Sequence, residues 1–217
     1  MSVSINESSL EILIADNYPI VRKGLIHLLH EEFPTSKITE AGNSQEVYEK
    51  VKGKIWDVIL LDIIIPGSNG LEIMKELKTL GIKTPVLMLS TYSEEQYALR
   101  ALKAGASGFL NKDSPTNEFI IAINKVVSGR KYVSESMAEK LADKAGENYS
   151  KSPHELLSDR EMQVFQFIAT GKTVSKIAND LSLSVNTINT YRARVLEKLC
   201  FTNNVELIRY AIDNKLV

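Results

Sequence analysis

The sequence predicts an α/β domain on a doubly wound five-stranded parallel sheet, followed by a small all-α domain. Three observations carry that prediction. Residues 10–128 alternate short apolar runs with amphipathic stretches, giving five βα repeats in about 120 residues. From Leu156 onward only helical patterns occur. Between the two regions lies Gly146-Glu-Asn-Tyr-Ser-Lys-Ser-Pro153, a polar stretch with the composition of a linker.

The strands are expected at Leu10–Ala15, Lys37–Glu40, Asp57–Ile63, Pro85–Leu89 and Gly108–Leu110. Most are continuous apolar runs, the pattern of strands covered on both faces. Helices are expected near 19–32, 44–52, 70–80, 94–104 and 115–128. In the last, Phe119, Ile120, Ile123, Val126 and Val127 fall on one stripe. Ser93 and Gln96 have the spacing of a capping box at the start of the fourth helix. A further helix is expected over 134–145, before the linker.

The second region divides into helices near 159–169, 173–181, 185–199 and 204–213. Ser158 and Glu161 match a capping box, and Thr170-Gly-Lys-Thr173 supplies a helix stop, a turn and a new N-cap. The organisation is therefore a first domain over 1–130, a helical connector and linker over 131–154, and a second domain over 155–217.

Composition narrows the function classes. With 44% hydrophobic and 24% charged residues, the chain has material for two packed cores. No apolar run is long enough to span a bilayer and the amino terminus lacks a signal pattern, so a cytoplasmic protein with no membrane partner is expected. Cys200 is the single cysteine, which argues against a disulfide framework and a cysteine-rich metal site. The net charge is −1, but residues 151–217 carry 9 Lys/Arg and 7 Asp/Glu against 17 and 20 in the rest. A basic tail of that size permits nucleic-acid binding without establishing it.

In a doubly wound sheet, ligands sit at the carboxyl ends of the strands. Those ends carry Asp16-Asn17 after the first strand, Asp62 after the third, Ser90-Thr91 after the fourth and Lys112 after the fifth. Singly, each reads as a turn or solvated residue. Converging on one crevice, they suit phosphoryl transfer to a carboxylate. Asp62 would be the nucleophile, forming an acyl phosphate. A hard divalent cation would be held by Asp62, Asp16 and Asn17, with the Ile64 backbone carbonyl as a further oxygen. Lys112 would pair with one phosphoryl oxygen and the Ser90 hydroxyl would bond another.

Asp16, Asp62, Ser90, Phe109 and Lys112, with Pro66-Gly67 and Lys112-Asp-Ser-Pro115, resemble the receiver domains of two-component response regulators over residues 10–128. The resemblance implies a flavodoxin-like strand order 2-1-3-4-5, magnesium as cofactor, and a sensor histidine kinase as the phosphate donor to Asp62. It also implies that Phe109 reorients on activation; core packing is the simpler reading of that residue. One departure stands out. Most receivers carry two acids at the end of the first strand, and here the second is Asn17, which keeps an oxygen but loses a charge.

In the tail, Val174-Ser-Lys-Ile-Ala-Asn-Asp-Leu181, Ser182-Leu-Ser184 and a longer helix describe a helix-turn-helix. With Thr187-Ile188, Lys198-Leu199 and Glu206-Leu207, the string resembles the tetrahelical domain of the LuxR/FixJ (NarL-like) regulators. That implies a third helix in the major groove of double-stranded DNA, a fourth supporting dimer contacts, and a homodimer when active. Tyr191 and Cys200 depart from the usual histidine and glycine. On a helical wheel Ile188, Val195 and Leu199 define the core side, while Asn186, Thr190 and Arg194 lie opposite and Asn189 flanks. Lys176, Asn186, Thr187, Asn189, Thr190, Arg194 and Lys198 are the candidate DNA contacts. Arg192 lies beside the core stripe and needs a partner, for which Glu161 is the candidate, its cap role competing.

The expectation is thus a phosphorylation-gated DNA-binding transcriptional regulator, not an enzyme beyond its own phosphorylation and dephosphorylation. Two other readings stay open. Asn17 admits a phosphorylation-independent regulator of the same architecture. A flavodoxin-like hydrolase using Asp62 would need a substrate pocket that the short loops do not suggest, and would leave the helical tail unexplained.

Overall fold

The computed structural model describes residues 9–146 and 152–217, which form two compact units, Met1–Leu141 and Ala142–Val217. The proposed linker falls largely outside the described residues.

In the first unit, β1 (Glu11–Ala15), β2 (Lys37–Ala41), β3 (Val58–Asp62), β6 (Val86–Ser90) and β7 (Gly108–Asn111) form a parallel sheet in the order β2-β1-β3-β6-β7. Two further strands, β4 (Ile64–Ile65) and β5 (Ser68–Asn69), make a separate antiparallel hairpin. With that hairpin set aside, the order is the expected 2-1-3-4-5. Helices α1 (Pro19–Glu32), α2 (Ser44–Lys52), α3 (Gly70–Thr79), α4 (Glu94–Ala104) and α5 (Thr116–Val127) alternate with the strands. The sheet interior is aliphatic: Ile12, Ile14, Val58, Leu60, Leu87 and Leu89 are all buried, with Phe119, Ile123 and Val126 of α5 packed on them. The α5 stripe is thus a core face, as its 3.6-residue period requires.

Two local expectations change. Ser93 stands at the N-cap of α4, but its side chain makes no cap bond; the Gln96 amide donates to the Ser93 main-chain carbonyl instead. The β4–β5 hairpin has strands of two residues each, too short to leave a period-2 signature in sequence.

Past α5 the chain returns to the sheet. Tyr132 bridges Gly108 in parallel, its amide donating to the Ser107 carbonyl at 3.0 Å and its carbonyl accepting from the Phe109 amide at 3.1 Å. A Cβ on Gly108 would lie 2.8 Å from the Tyr132 carbonyl oxygen, so this close approach requires glycine. Ser134 then bonds Glu94 of α4 through its amide, at 2.8 Å, and α6 (Glu135–Gly146) begins, with Met137 buried. The start of the segment read as connector is therefore packed on the first unit.

The second unit holds a 3₁₀ turn (Pro153–Leu156) and four helices, α7 (Asp159–Ala169), α8 (Val174–Leu181), α9 (Val185–Lys198) and α10 (Asn204–Asp213). Ser158 and Glu161 form the expected capping box, and Thr173 caps α8 by accepting from the Lys176 amide. Ile177, Leu181, Ile188, Val195, Leu199 and Leu207 are buried. The end of α9, like those of α8 at Ser182 and α10 at Lys215, carries a side chain on a left-handed residue. Cys200 is left-handed at φ 57°, with the Phe201 amide bonding back to the Leu196 carbonyl at 2.8 Å. That is a Schellman-type ending with a side chain where glycine is the norm. Cys200→Gly should therefore stabilise the protein by about 1 kcal/mol, read from thermal melts, because a left-handed L-residue costs on that order.

Candidate functional site

The register of the sheet builds the site. Ala15 of β1 pairs with Leu61 of β3, so the next residues, Asp16 just past β1 and Asp62 at the last position of β3, stand side by side where the strand order reverses. Ser90 of β6 pairs with Asn111 of β7, and the Lys112 amide donates to the Ser90 carbonyl at 2.7 Å. Four strand ends thus deliver Asp16, Asp62, Ser90 and Lys112 to one end of the sheet.

Lys112 closes the cluster. Its ammonium lies 2.5 Å from Asp16 Oδ2 and 2.9 Å from Asp62 Oδ2, and all three side chains are nearly buried. Burial raises the Asp62 carboxyl above the usual range; Lys112 opposes that rise and Asp16 adds to it. Burial likewise works against the charge of Lys112, yet Asp62 and Asp16 outweigh it and hold the ammonium above its ordinary value. The cluster sets two carboxyl groups against one cation, so full ionisation would leave a negative charge uncompensated in a desolvated place.

Around this core the remaining oxygens are placed by short local bonds. Asp62 Oδ1 accepts from the Ile64 amide at 3.2 Å, and Asp16 Oδ1 accepts from the Tyr18 amide at 2.8 Å. Asn17 Oδ1 is buried and has no hydrogen-bond partner in the structure. A buried, orphaned amide oxygen on the residue that follows Asp16 is donor chemistry a hard divalent cation satisfies together with carboxylates, so the residues fit magnesium. Among the described residues there is no group of three or more His, Cys, Asp or Glu that could hold a metal ion.

Ser90 Oγ accepts from the Tyr92 amide at 2.9 Å, and the Asn111 side chain holds the Tyr92 carbonyl at 3.0 Å. Tyr92 stacks on the buried Tyr97 of α4. Phe109 is fully buried, one residue from the bridge to Tyr132. Sequence reasoning missed Asn111 and Tyr92, because nothing in their spacing sets them apart from ordinary loop residues. It also missed Gly70. A Cβ there would stand 2.2 Å from the Asp62 carbonyl oxygen and 2.9 Å from Ile63 Cα.

In the second unit, α9 turns as the wheel requires. Ile188, Val195 and Leu199 are buried; Asn186, Asn189, Thr190 and Arg194 are exposed, Thr187 is half-buried, and Lys176 of α8 is exposed. The expected pairing of Arg192 with Glu161 does not form. Arg192 Nε donates to Asn204 Oδ1 at 2.6 Å, while Glu161 binds the Ser158 amide and the Lys198 ammonium, 2.7 and 2.6 Å away. The cap and Lys198 occupy the Glu161 carboxylate, and the start of α10 brings Asn204 to Arg192. Lys198 thus shares its ammonium with Glu161 while remaining exposed, as Lys176 does with Asp180 at 3.4 Å.

Comparison with known proteins agrees with this geometry. Residues 12–124 match the response regulator receiver domain, and residues 155–211 match the bacterial regulatory proteins of the luxR family. Response regulator GacA of Pseudomonas viridiflava is 32% identical over 209 residues, covering 96% of this chain and 98% of the relative. Response regulator UvrY of Escherichia coli K12 is 30% identical over 208 residues, covering 95% of each. Among solved structures, RcsB from Salmonella enterica serovar Typhimurium bound to promoter rprA shares the fold, with a TM-score of 0.65 at 22% identity over 94% of this chain and 98% of that one. The receiver domain of a NarL regulator from Mycobacterium tuberculosis is 29% identical, with a TM-score of 0.53 over 57% of this chain and 99% of that one. Among the described residues no helix is long and apolar enough to cross a membrane. The chain belongs to the response regulators, with a receiver domain followed by a luxR-family DNA-binding domain.

Proposed function

We propose that this regulator is gated by phosphorylation of Asp62 and that the phosphorylated form dimerises and binds promoter DNA. The carrying observation is the buried triad of Asp16, Asp62 and Lys112 at the strand ends, together with the buried, unpartnered Asn17 oxygen. We divide the chain into a receiver over 1–130, a connector over 131–154 and an effector over 155–217, acting in the cytoplasm.

The phosphate donor is a sensor histidine kinase. An Asp62 carboxylate oxygen forms the bond to phosphorus as the bond from phosphorus to the donor imidazole breaks, the electron pair returning to that ring. Magnesium, when bound, neutralises charge on the transferring phosphoryl group; Asp16, Asn17, Asp62 and the Ile64 carbonyl are the residues that would hold it. Lys112 exchanges part of its contact with Asp62 for a phosphoryl oxygen. The Ser90 hydroxyl leaves the Tyr92 amide to donate to another, and Phe109 follows the loop as the switch aromatic. In the effector, Lys176, Asn186, Thr187, Asn189, Thr190, Arg194 and Lys198 face the DNA.

The direct test is intact-protein mass spectrometry of the full chain after incubation with acetyl phosphate and magnesium. One phosphate should be gained, and hydroxylamine should remove it. Absence of any adduct at saturating magnesium would overturn this reading.

The two α9 arginines separate DNA contact from structure. Arg194→Ala should leave the melt unchanged and weaken binding to duplex DNA by about 1–3 kcal/mol in gel shifts. Arg192→Ala should lower stability by about 1 kcal/mol through loss of its bond to Asn204. A fully stable Arg192→Ala protein that no longer binds DNA would make Arg192 the groove reader.

A further inference from the structure

We propose that Arg22 is a positioning residue for the metal side of the site, acting through the Asp16–Asn17 peptide. The inference rests on the magnesium reading given under Proposed function and extends it to a residue outside the strand ends. Arg22 lies in the second turn of α1, and its side chain is 15% exposed. Its Nη1 donates to the Asp16 main-chain carbonyl at 2.8 Å, and its Nε donates to Glu40 Oε2 of β2 at 2.7 Å. The guanidinium thereby joins the ends of β1 and β2 by a side-chain fork.

What that fork fixes follows from peptide geometry. The Asp16 carbonyl belongs to the planar unit that contains the Asn17 nitrogen and Cα. Holding this carbonyl sets the orientation of the whole plane, and with it the direction in which the Asn17 side chain departs. Two other bonds restrain the turn, the Asp16 amide donating to the Ala41 carbonyl at 3.1 Å and the Tyr18 amide to Asp16 Oδ1 at 2.8 Å, but neither holds the Asp16 carbonyl or the Asn17 side chain. Asn17 Oδ1 is the one amide oxygen among the proposed ligands, and it lies buried with no hydrogen bond of its own to keep it there. Arg22 supplies from behind the restraint that the ligand lacks in front. Where a second carboxylate would add charge, Asn17 depends more on placement.

The sign of the effect separates this role from the alternatives. Removing a nearby cation by itself tightens binding of a second cation. Removing a positioning residue weakens it, typically by tenfold or more for outer-shell partners. Titrating magnesium chloride into the unphosphorylated full chain by calorimetry reads the difference. Arg22→Ala should raise the magnesium Kd by roughly tenfold. Arg22→Lys should fall between, because an ammonium cannot hold both oxygens as the fork does. In an Asn17→Ala background, the further change caused by Arg22→Ala should shrink to within about twofold, since the pathway runs through Asn17. An Arg22→Ala protein with equal or tighter affinity overturns the proposal, as does an undiminished effect in the Asn17→Ala background. Should Arg22→Ala fail to fold, Arg22→Lys alone decides by the same sign. Wild-type protein that binds no magnesium overturns the underlying reading instead, so the two failures are distinguishable.

Discussion

Asp62→Asn is expected to abolish the hydroxylamine-sensitive phosphate completely and, in the same protein, to raise the melting temperature. The first effect follows from removing the nucleophile: an amide oxygen forms no stable acyl phosphate. The second follows from the charge balance. Asp62 and Asp16 share one buried ammonium, and the Asp62 carboxyl is raised chiefly by burial. An acid raised in the folded state binds more protons folded than unfolded, so its contribution falls as pH rises above the unfolded value of about 3.9. At neutral pH the charge on Asp62 is therefore the unfavourable member of the site, whereas Asp62→Asn leaves Lys112 and Asp16 as a balanced pair. A gain of about 1–2 kcal/mol is expected in magnesium-free buffer. Added magnesium should narrow the gap, because it stabilises only the protein that binds it. Undiminished labelling, or a lower melting temperature without metal, would sink the assignment.

Gly70→Ala should be the most damaging single methyl group in the receiver. The added carbon would stand 2.2 Å from the Asp62 carbonyl oxygen, 2.9 Å from Ile63 Cα and 3.0 Å from the Asp62 carbonyl carbon. All three are backbone atoms, so no rotamer relieves the clash. The Gly70 amide also donates to the Ile63 carbonyl at 2.9 Å, which pins the start of α3 against the end of β3. Separating the two elements breaks that bond and displaces the nucleophile. A loss of about 3 kcal/mol or more in denaturant melts is expected, with phosphate uptake falling in the protein that stays folded. A loss under about 1 kcal/mol with normal uptake would show that this approach can relax.

The strand ends were legible in sequence because parallel strands buried on both faces are continuous apolar runs. The polar residue that ends each run is then placed by the sheet itself. Asp16, Asp62, Ser90 and Lys112 were readable for that reason, and their observed strand limits differ from the expected ones by one residue at most ends. Gly70 was not readable: its requirement is set by a carbonyl eight residues earlier, in another element. Arg192 shows the same limit from another side. The wheel correctly put it beside the core stripe, but a wheel describes one helix and cannot say which neighbour arrives there. Asn204 comes 12 residues later, past a chain reversal at Cys200. Arg22 carried no signal either, since an arginine in the second turn of a helix is ordinarily a solvated residue.

The pairing of Tyr132 with β7 also bears on how a receiver fragment should be cut. A sheet edge with unpaired amides and carbonyls is a template for another chain's strand, and proteins guard such edges with charge or cover. The β2 edge carries Lys37 and Glu40, both with substantial exposure, whereas β7 reads Gly108-Phe-Leu-Asn111, with no charged residue. Here the protection is the returning chain itself. A fragment ending at residue 130 would bare the Phe109 amide and the Ser107 carbonyl and invite edge-to-edge association. One ending at 141 keeps its own cover.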